Sequence, residues 1–249
     1  MRRAAGTRTR AGALLTATLL TGLIGAESAN GITVSRPDME ATVTASVAPT
    51  RLPARGGAPV TLTVEGSINR PDDTVPSPLH AISLLLDHQL TVTTTGLAIC
   101  TTKLALAPAA YARKHCGQAQ IGSGTVDETL IFPEGSGIPP SERHAGVLFF
   151  NSRQGVLMFT YLLHPGPGEV RSSVVSIGSG RRLRIRMGPA LGSTASFRFR
   201  FGRIWHDGGE RRSYLSGRCA TGTLRTKITL SFTDGEVSEA EPQGCTRRG

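Results

Sequence analysis

The chain predicts an all-β fold: one domain, built as a two-sheet β-sandwich of jelly-roll-like or immunoglobulin-like type, with one short helix and two disulfides. Three observations lead there. Short runs rich in Val, Thr, Leu and Phe recur along the chain, separated by Gly, Pro, Asn and Asp. No helical periodicity alternates with them, which argues against βαβ units. Four cysteines allow three pairings, and proximity favours Cys100 with Cys116 and Cys219 with Cys245. Composition agrees: 30 Gly and 15 Pro favour strands and turns over helices, and 39% hydrophobic residues are enough for a core.

The N-terminus comes first in the chain. Arg2, Arg3, Arg8 and Arg10 precede an apolar run over 11–26. That run is shorter than the roughly 20 residues a membrane span needs. A basic start, a short apolar stretch and the small residues Ala26, Ser28 and Ala29 read as a secretory signal peptide over 1–29, with Ala26-Glu27-Ser28 as the preferred cleavage motif. The competing reading is an uncleaved amphipathic anchor. No second apolar span follows, so the mature chain is expected to be soluble, with no membrane span, and secreted or associated with the cell envelope. Its charge is expected to stay basic. The full chain carries +10, and the excess is almost all Arg, with Lys only at 103, 114 and 227. Arg binds phosphate, sulfate and carboxylate bidentately; a GC-rich genome would produce the same bias with no ligand at all.

Residues 30–58 are rich in Ala, Thr, Ser, Pro and Gly and read as a flexible lead-in with one strand over Ala41–Ala48. The sandwich is then expected to occupy 59–249. Its candidate strands are Val60–Ile68, Leu79–Leu86, Leu90–Thr95, Thr125–Phe132, Ala145–Asn151, Val156–His164, Ser172–Ile177, Arg182–Met187, Thr194–Ile204, Thr223–Phe232 and a final run after Asp234-Gly235. Asp234-Gly235 is a hairpin signal.

The segment Gly96–Gly124 carries the first cysteine pair. Between the cysteines, Pro108–His115 can form about two helical turns, with Pro108 suited to the first position. Such a turn of chain would bring Cys100 back to Cys116. The hairpin at Asp234-Gly235 would do the same for Cys219 and Cys245. Cysteines of an exported chain usually pair, and each bridge is expected to stabilise by about 3–4 kcal/mol. A zinc site at Cys100, His115 and Cys116 is the sharper alternative, but there is no C-x-x-C and adjacent His-Cys rarely ligate one metal. No metal or cofactor is expected.

Catalytic patterns are sparse. Ser123, Ser136 and Ser179 sit only in Gly-Ser-Gly turns, and no nucleophile elbow, zincin or phosphate-loop motif occurs. The six histidines are scattered. Asp72-Asp73, Asp87 and Asp207 could supply a glycosidase-type carboxylate pair, but acidic loop residues more often form solvated turns.

The arginine strands carry the sharpest functional hint. Arg182-Leu183-Arg184-Ile185-Arg186-Met187 alternates strictly, and so does Phe197-Arg198-Phe199-Arg200-Phe201. Period-two alternation sends Leu, Ile, Met and Phe inward and the arginines outward. If the two strands pair directly, Arg182, Arg184, Arg186, Arg198 and Arg200 share one sheet face. Like charges directly opposite destabilise a sheet. The face would therefore either meet acids such as Glu236, Glu239 and Glu241, guard strand edges as a solvated surface, or bind anions. Without aromatic platforms beside the arginines, specific nucleic-acid binding is not expected.

Several positions together carry a resemblance: Gly96-Leu97, Cys100, Cys116, Ala119, Gly122, Gly124, Tyr214-Leu215, Cys219, Phe232, Asp234-Gly235 and Cys245. The pattern resembles a family of exported β-rich proteins of GC-rich soil bacteria that has no established activity. The resemblance spans most of 50–246 and implies fold and export, not function. The favoured reading is an exported, non-enzymatic envelope or extracellular protein that binds an anionic cell-wall polymer or acidic polysaccharide through its arginine face. The alternatives are a secreted polysaccharide-active hydrolase and a ligand-free coat protein.

Overall fold

The structure is a computed structural model. It describes residues 32–36, 39–70, 76–130, 139–163, 172–177, 181–187 and 192–248, with Gly135 and Gly137. The signal-peptide reading of 1–29 and Asp72-Asp73 lie outside the described residues. Strands dominate. In chain order they are β1 (Ile32–Arg36), β2 (Met39–Ala48), β3 (Arg51–Pro53), β4 (Ala58–Pro59), β5 (Thr61–Asn69), β6 (Leu79–Leu85) and β7 (Leu90–Val92). After the helix α1 (Ala109–Cys116) come β8 (Gln120–Leu130), β9 (Ser141–Ser152), β10 (Gly155–Leu162), β11 (Ser172–Ile177), β12 (Arg182–Arg186) and β13 (Gly192–Phe201). The last are β14 (Ile204–Asp207), β15 (Glu210–Ser213), β16 (Leu215–Gly217), β17 (Thr223–Phe232), β18 (Gly235–Gly244) and β19 (Thr246–Arg248).

Eight strands form a large sheet in the order β1-β2-β5-β13-β8-β9-β10-β11. Four form a smaller one, β12-β6-β17-β18. Short pairings complete the fold: β14-β15, β4-β16-β7, and β19 parallel to β3. The expected all-β class, short helix and two disulfides are present among the described residues, with a 3-10 turn over Gly117–Ala119 directly after the helix.

Alternation explains the core. Met39, Ala41, Val43, Ala45 and Val47 are buried along β2, and Leu62, Val64 and Ile68 along β5. Leu183 and Ile185 are buried on β12, and Leu224, Ile228 and Leu230 on β17. These side chains from both sheets belong to one continuous cluster. Burial of this apolar area, at about 25 cal/mol per Å², is the main stabilising contribution. Phe197, Phe199 and Phe201 enter the same cluster from β13, and Phe149 of β9 meets Phe199 and Phe201 at ring-centroid distances of 5.4 and 4.6 Å.

Three expectations are corrected. The strand expected over Ala41–Ala48 is present as β2 and pairs with β5 over nine residues, Glu40↔Asn69 to Ala48↔Thr61, but the rest of 30–58 is not only a lead-in, since β1, β3 and the start of β4 also fall within it. Its Ala and Thr content suggested linker, but small inward side chains at alternate positions suffice to fill the core edge. Second, the two arginine strands do not pair. β12 is an edge strand bonded to β6, whereas β13 lies between β5 and β8 in the other sheet. The separation keeps arginines from standing opposite arginines. Third, the helix begins one residue later than expected, with Pro108 extended at its N-cap (φ −71°, ψ 153°) rather than at its first helical position.

The Gly96–Gly124 segment acts as a clamp. Cys100 and Cys116 are bridged, with Cα atoms 5.0 Å apart. Ala112, Cys116 and Ala119 pack with Leu104, Leu148, Phe150 and Phe159 in a second apolar cluster. Leu148, Phe150 and Phe159 belong to β9 and β10, so α1 covers part of that sheet. Asn151 fastens the loop by donating to the Ala98 carbonyl at 2.9 Å. Cys219 and Cys245 are bridged at 5.9 Å between Cα atoms, beside the β17-β18 hairpin. The hairpin turn is formed by Thr233 and Asp234, because Gly235 already pairs with Phe232.

Candidate anion-binding face

The five candidate arginines divide into three environments. Arg182, Arg184 and Arg186 are exposed along β12 while Leu183 and Ile185 between them are buried. Their spacing is about 7 Å along the strand, two residues at a time. Across the strand pair they stand opposite Leu85, Ser83 and Ala81 of β6, none of which is charged. One strand further, Lys227 occupies the row of Leu85 and Arg182, about 10 Å from the latter's strand. Arg225 extends the same exposed side of β17 by one step. Among the described residues, Arg182, Arg184, Arg186, Arg225 and Lys227 have no carboxylate partner. The three acids expected beside them are not there: Glu239 and Glu241 are in register with Ile228 and Thr226, the positions on either side of Lys227. Glu236 shares a row with Ser231 and Ala81, three strand spacings from Arg186, and accepts the Ser231 hydroxyl at 2.7 Å.

The end of this face is concave. A pocket of about 540 Å³ is lined by Arg181, Arg225, Lys227, His88, Thr221 and Thr223, among others. Asp87 also lines it, but its carboxylate is engaged: it accepts the backbone N–H groups of Gln89 and Arg225, each at 2.7 Å, and lies 3.2 Å from His88 Nδ1. Buried Gln89 ties the far wall, donating to the Thr223 carbonyl at 2.8 Å and accepting from the Ala220 amide at 2.6 Å. Arg181 is held at the rim by donating from Nε and Nη2 to the Leu86 carbonyl, at 3.3 and 3.0 Å. Its remaining N–H donors are not used by that contact. The pocket thus combines one tethered arginine, two exposed cations, hydroxyls and an acid that already accepts two backbone N–H groups.

The other two arginines lie elsewhere. Arg198 pairs across β13 and β5 with Glu65, Nε to Oε1 at 3.1 Å. Arg200 lies two residues on, beside Arg203. Sequence reading placed Arg203 close to the arginine strands, and it lines one concavity with Arg200; it missed Arg181, Arg225 and Lys227. For Arg225 and Lys227 the signal was present: Leu224-Arg225-Thr226-Lys227-Ile228 alternates as β12 does.

One other polar cluster crosses the large sheet. Ser196, Asp127 and His144 stand in one row on β13, β8 and β9. His144 Nδ1 lies 2.7 Å from Asp127 Oδ1, and the Ser196 hydroxyl donates to Oδ2 at 2.5 Å. The hydrogen bond to Asp127, and then its charge, raise the His144 pKa. Burial works to raise that of Asp127, but the hydrogen bonds from His144 and Ser196 outweigh it and hold the carboxyl below its ordinary value. Asp127 stands between Ser196 and His144, so the hydroxyl is not bonded to the base, as nucleophilic catalysis requires. The remaining expected carboxylates are spread out. Asp207 pairs with Arg212 Nε at 2.9 Å and lies against Gly96, where a Cβ would collide with the carboxylate. Each concavity beside Arg225, Cys100, Arg198 and Arg200 is lined by at most one carboxylate.

Among the described residues no three His, Cys, Asp or Glu side chains converge on a metal-sized site, and no helix is long and apolar enough to cross a membrane. Neither a scan against protein-family models nor a search of curated proteins finds a match for the chain.

Proposed function

We propose that the chain is an exported β-sandwich protein that binds an anionic cell-wall polymer or acidic polysaccharide through the outer face of its smaller sheet. The observation that carries this reading is the row Arg182, Arg184 and Arg186 on an edge strand, with Arg225 and Lys227 two strands away and no carboxylate partner among the described residues. Regular cation spacing along an edge strand suits a linear polyanion, and the pocket at Arg181, Arg225 and Lys227 gives one charged group of that polymer a deeper seat. Export is supported by the basic and apolar start of the chain together with two disulfides, which persist in oxidising compartments. The sandwich reading is supported by the single apolar cluster that both sheets line.

The test is retention on purified cell wall under a salt gradient. Arg182→Gln/Arg184→Gln/Arg186→Gln is expected to elute at much lower salt than wild type, and Arg198→Gln, whose charge is already paired, close to wild type. Equal retention of wild type and the triple variant contradicts the reading.

A further inference from the structure

We propose that Arg200 and Arg203 form a second oxyanion site on the large sheet, so that the molecule bridges two polymer chains instead of coating one. A concavity of about 340 Å³ is lined by Arg200, Arg203, Thr61, Gln120 and Ser123, with no acidic side chain in its wall. Arg200 is exposed and has no carboxylate partner among the described residues. Arg203 is half-buried. Its Nη1 donates to the Gly117 carbonyl at 3.3 Å, which tethers one end of the guanidinium. A tethered guanidinium, a second one beside it, and hydroxyl and amide donors suit a tetrahedral oxyanion, phosphate or sulfate, because Arg forks match such groups in two-point contacts.

The placement gives the site its consequence. Arg200 alternates with Phe199 and Phe201, and Arg184 with Leu183 and Ile185, and all four apolar side chains enter one cluster. The two cationic sites therefore face away from each other across the core. One polymer strand lying along β12 does not reach Arg200, so a second strand can be held there. The bridging half of the inference rests on the proposed function; the oxyanion site itself does not.

Two arms test it on the full mature chain. In the first, Arg182→Gln/Arg184→Gln/Arg186→Gln/Arg225→Gln/Lys227→Gln, which also empties the first pocket of two of its cations, is titrated with orthophosphate and with sulfate by calorimetry. Saturable binding of either is expected, with at least a tenfold weakening on adding Arg200→Gln, an exposed change with no structural partner. Arg203→Lys, which keeps the charge but not the planar fork, is expected to weaken binding in the same direction. In the second arm, wild type is titrated with long-chain polyphosphate and followed by light scattering. Bridging predicts a maximum that dissolves at excess polymer, and Arg200→Gln removes that maximum. Absence of saturable orthophosphate and sulfate binding overturns the site. Saturable binding of the small anion with an unchanged scattering maximum in Arg200→Gln, or with no maximum in wild type, overturns bridging. Failure of wild type to bind any polymer overturns the proposed function and leaves the calorimetric arm to judge the pocket alone.

Discussion

Arg198 and Arg184 have the same side chain and the same exposed position on alternating strands, but different neighbours. Arg198 meets Glu65 at 3.1 Å, whereas Arg184 stands opposite Ser83. An exposed pair of this kind contributes about 0–1 kcal/mol. Arg198→Gln is therefore expected to change stability by less than about 1 kcal/mol in denaturant unfolding. His144 and Asp127 offer a pH-dependent case. His144 has its pKa raised in the fold above its ordinary 6.5, so its contribution is fully present below that value and is lost as pH rises through the folded value. Asp127 is lowered below 3.8, so its contribution is present above that and is lost as pH falls through the folded value. The pair stabilises most between these limits. The Tm difference between wild type and His144→Gln is expected to be larger at pH 5.5 than at pH 8.5; an equal difference at both would show that the pair does not couple to folding. Which residue faced outward was legible from alternation. Whether an outward arginine kept its charge for a ligand was not, because Glu65 lies over 130 residues away in the chain and becomes a neighbour only through β5-β13 pairing.

At the scale of elements, most strand interiors were legible because period two marks them, and most ends were less so. The hairpin β14-β15 was missed: Asp207-Gly208-Gly209-Glu210 turns the chain with φ of +60° and +85° at its two glycines, values that suit a tight hairpin and few other residues. The preceding arginine-phenylalanine strand read straight through into Ile204. The role of α1 was clearer, since its cysteines pinned it, but the surface it covers was not readable: Leu148, Phe150 and Phe159 look like ordinary core residues in sequence and face the helix instead. Phe199 is fully buried between Phe149 and Phe197. Phe199→Ala is expected to cost about 3–5 kcal/mol in denaturant unfolding; a loss below 1 kcal/mol would mean that β13 is not central to the core.

Across the whole molecule, the fold class was legible and the assembly of strands into sheets was not. At least a dozen segments share the same alternating pattern, so local sequence leaves open which strand pairs with which. That is why the arginine strands looked like partners although they belong to different sheets. The C-terminal disulfide ties this assembly together. Cys219 donates its N–H to the Pro53 carbonyl at 2.8 Å, and Thr246, next to Cys245, donates to the Thr50 carbonyl at 3.1 Å, so the bridge holds β19 against β3. Replacing both Cys219 and Cys245 by Ser is expected to destabilise by about 3–4 kcal/mol, read as a lower denaturant midpoint; an unchanged midpoint would remove the bridge from the account of stability. The charge on the outer face of the smaller sheet is a property of the assembled molecule, since it combines residues from β12 and from β17, about forty positions apart.

The measurement that bears most directly on that face is the salt dependence of affinity for a purified linear polyanion. Each cation–phosphate contact contributes roughly 0.7–0.9 to the slope of log affinity against log salt in nucleic-acid polyanions. Wild type is expected to show a steep slope, and Arg182→Gln/Arg184→Gln/Arg186→Gln a slope shallower by about 2–3 units on that scale. Identical slopes for the two proteins would contradict the assignment of the β12 face as the polymer-binding surface.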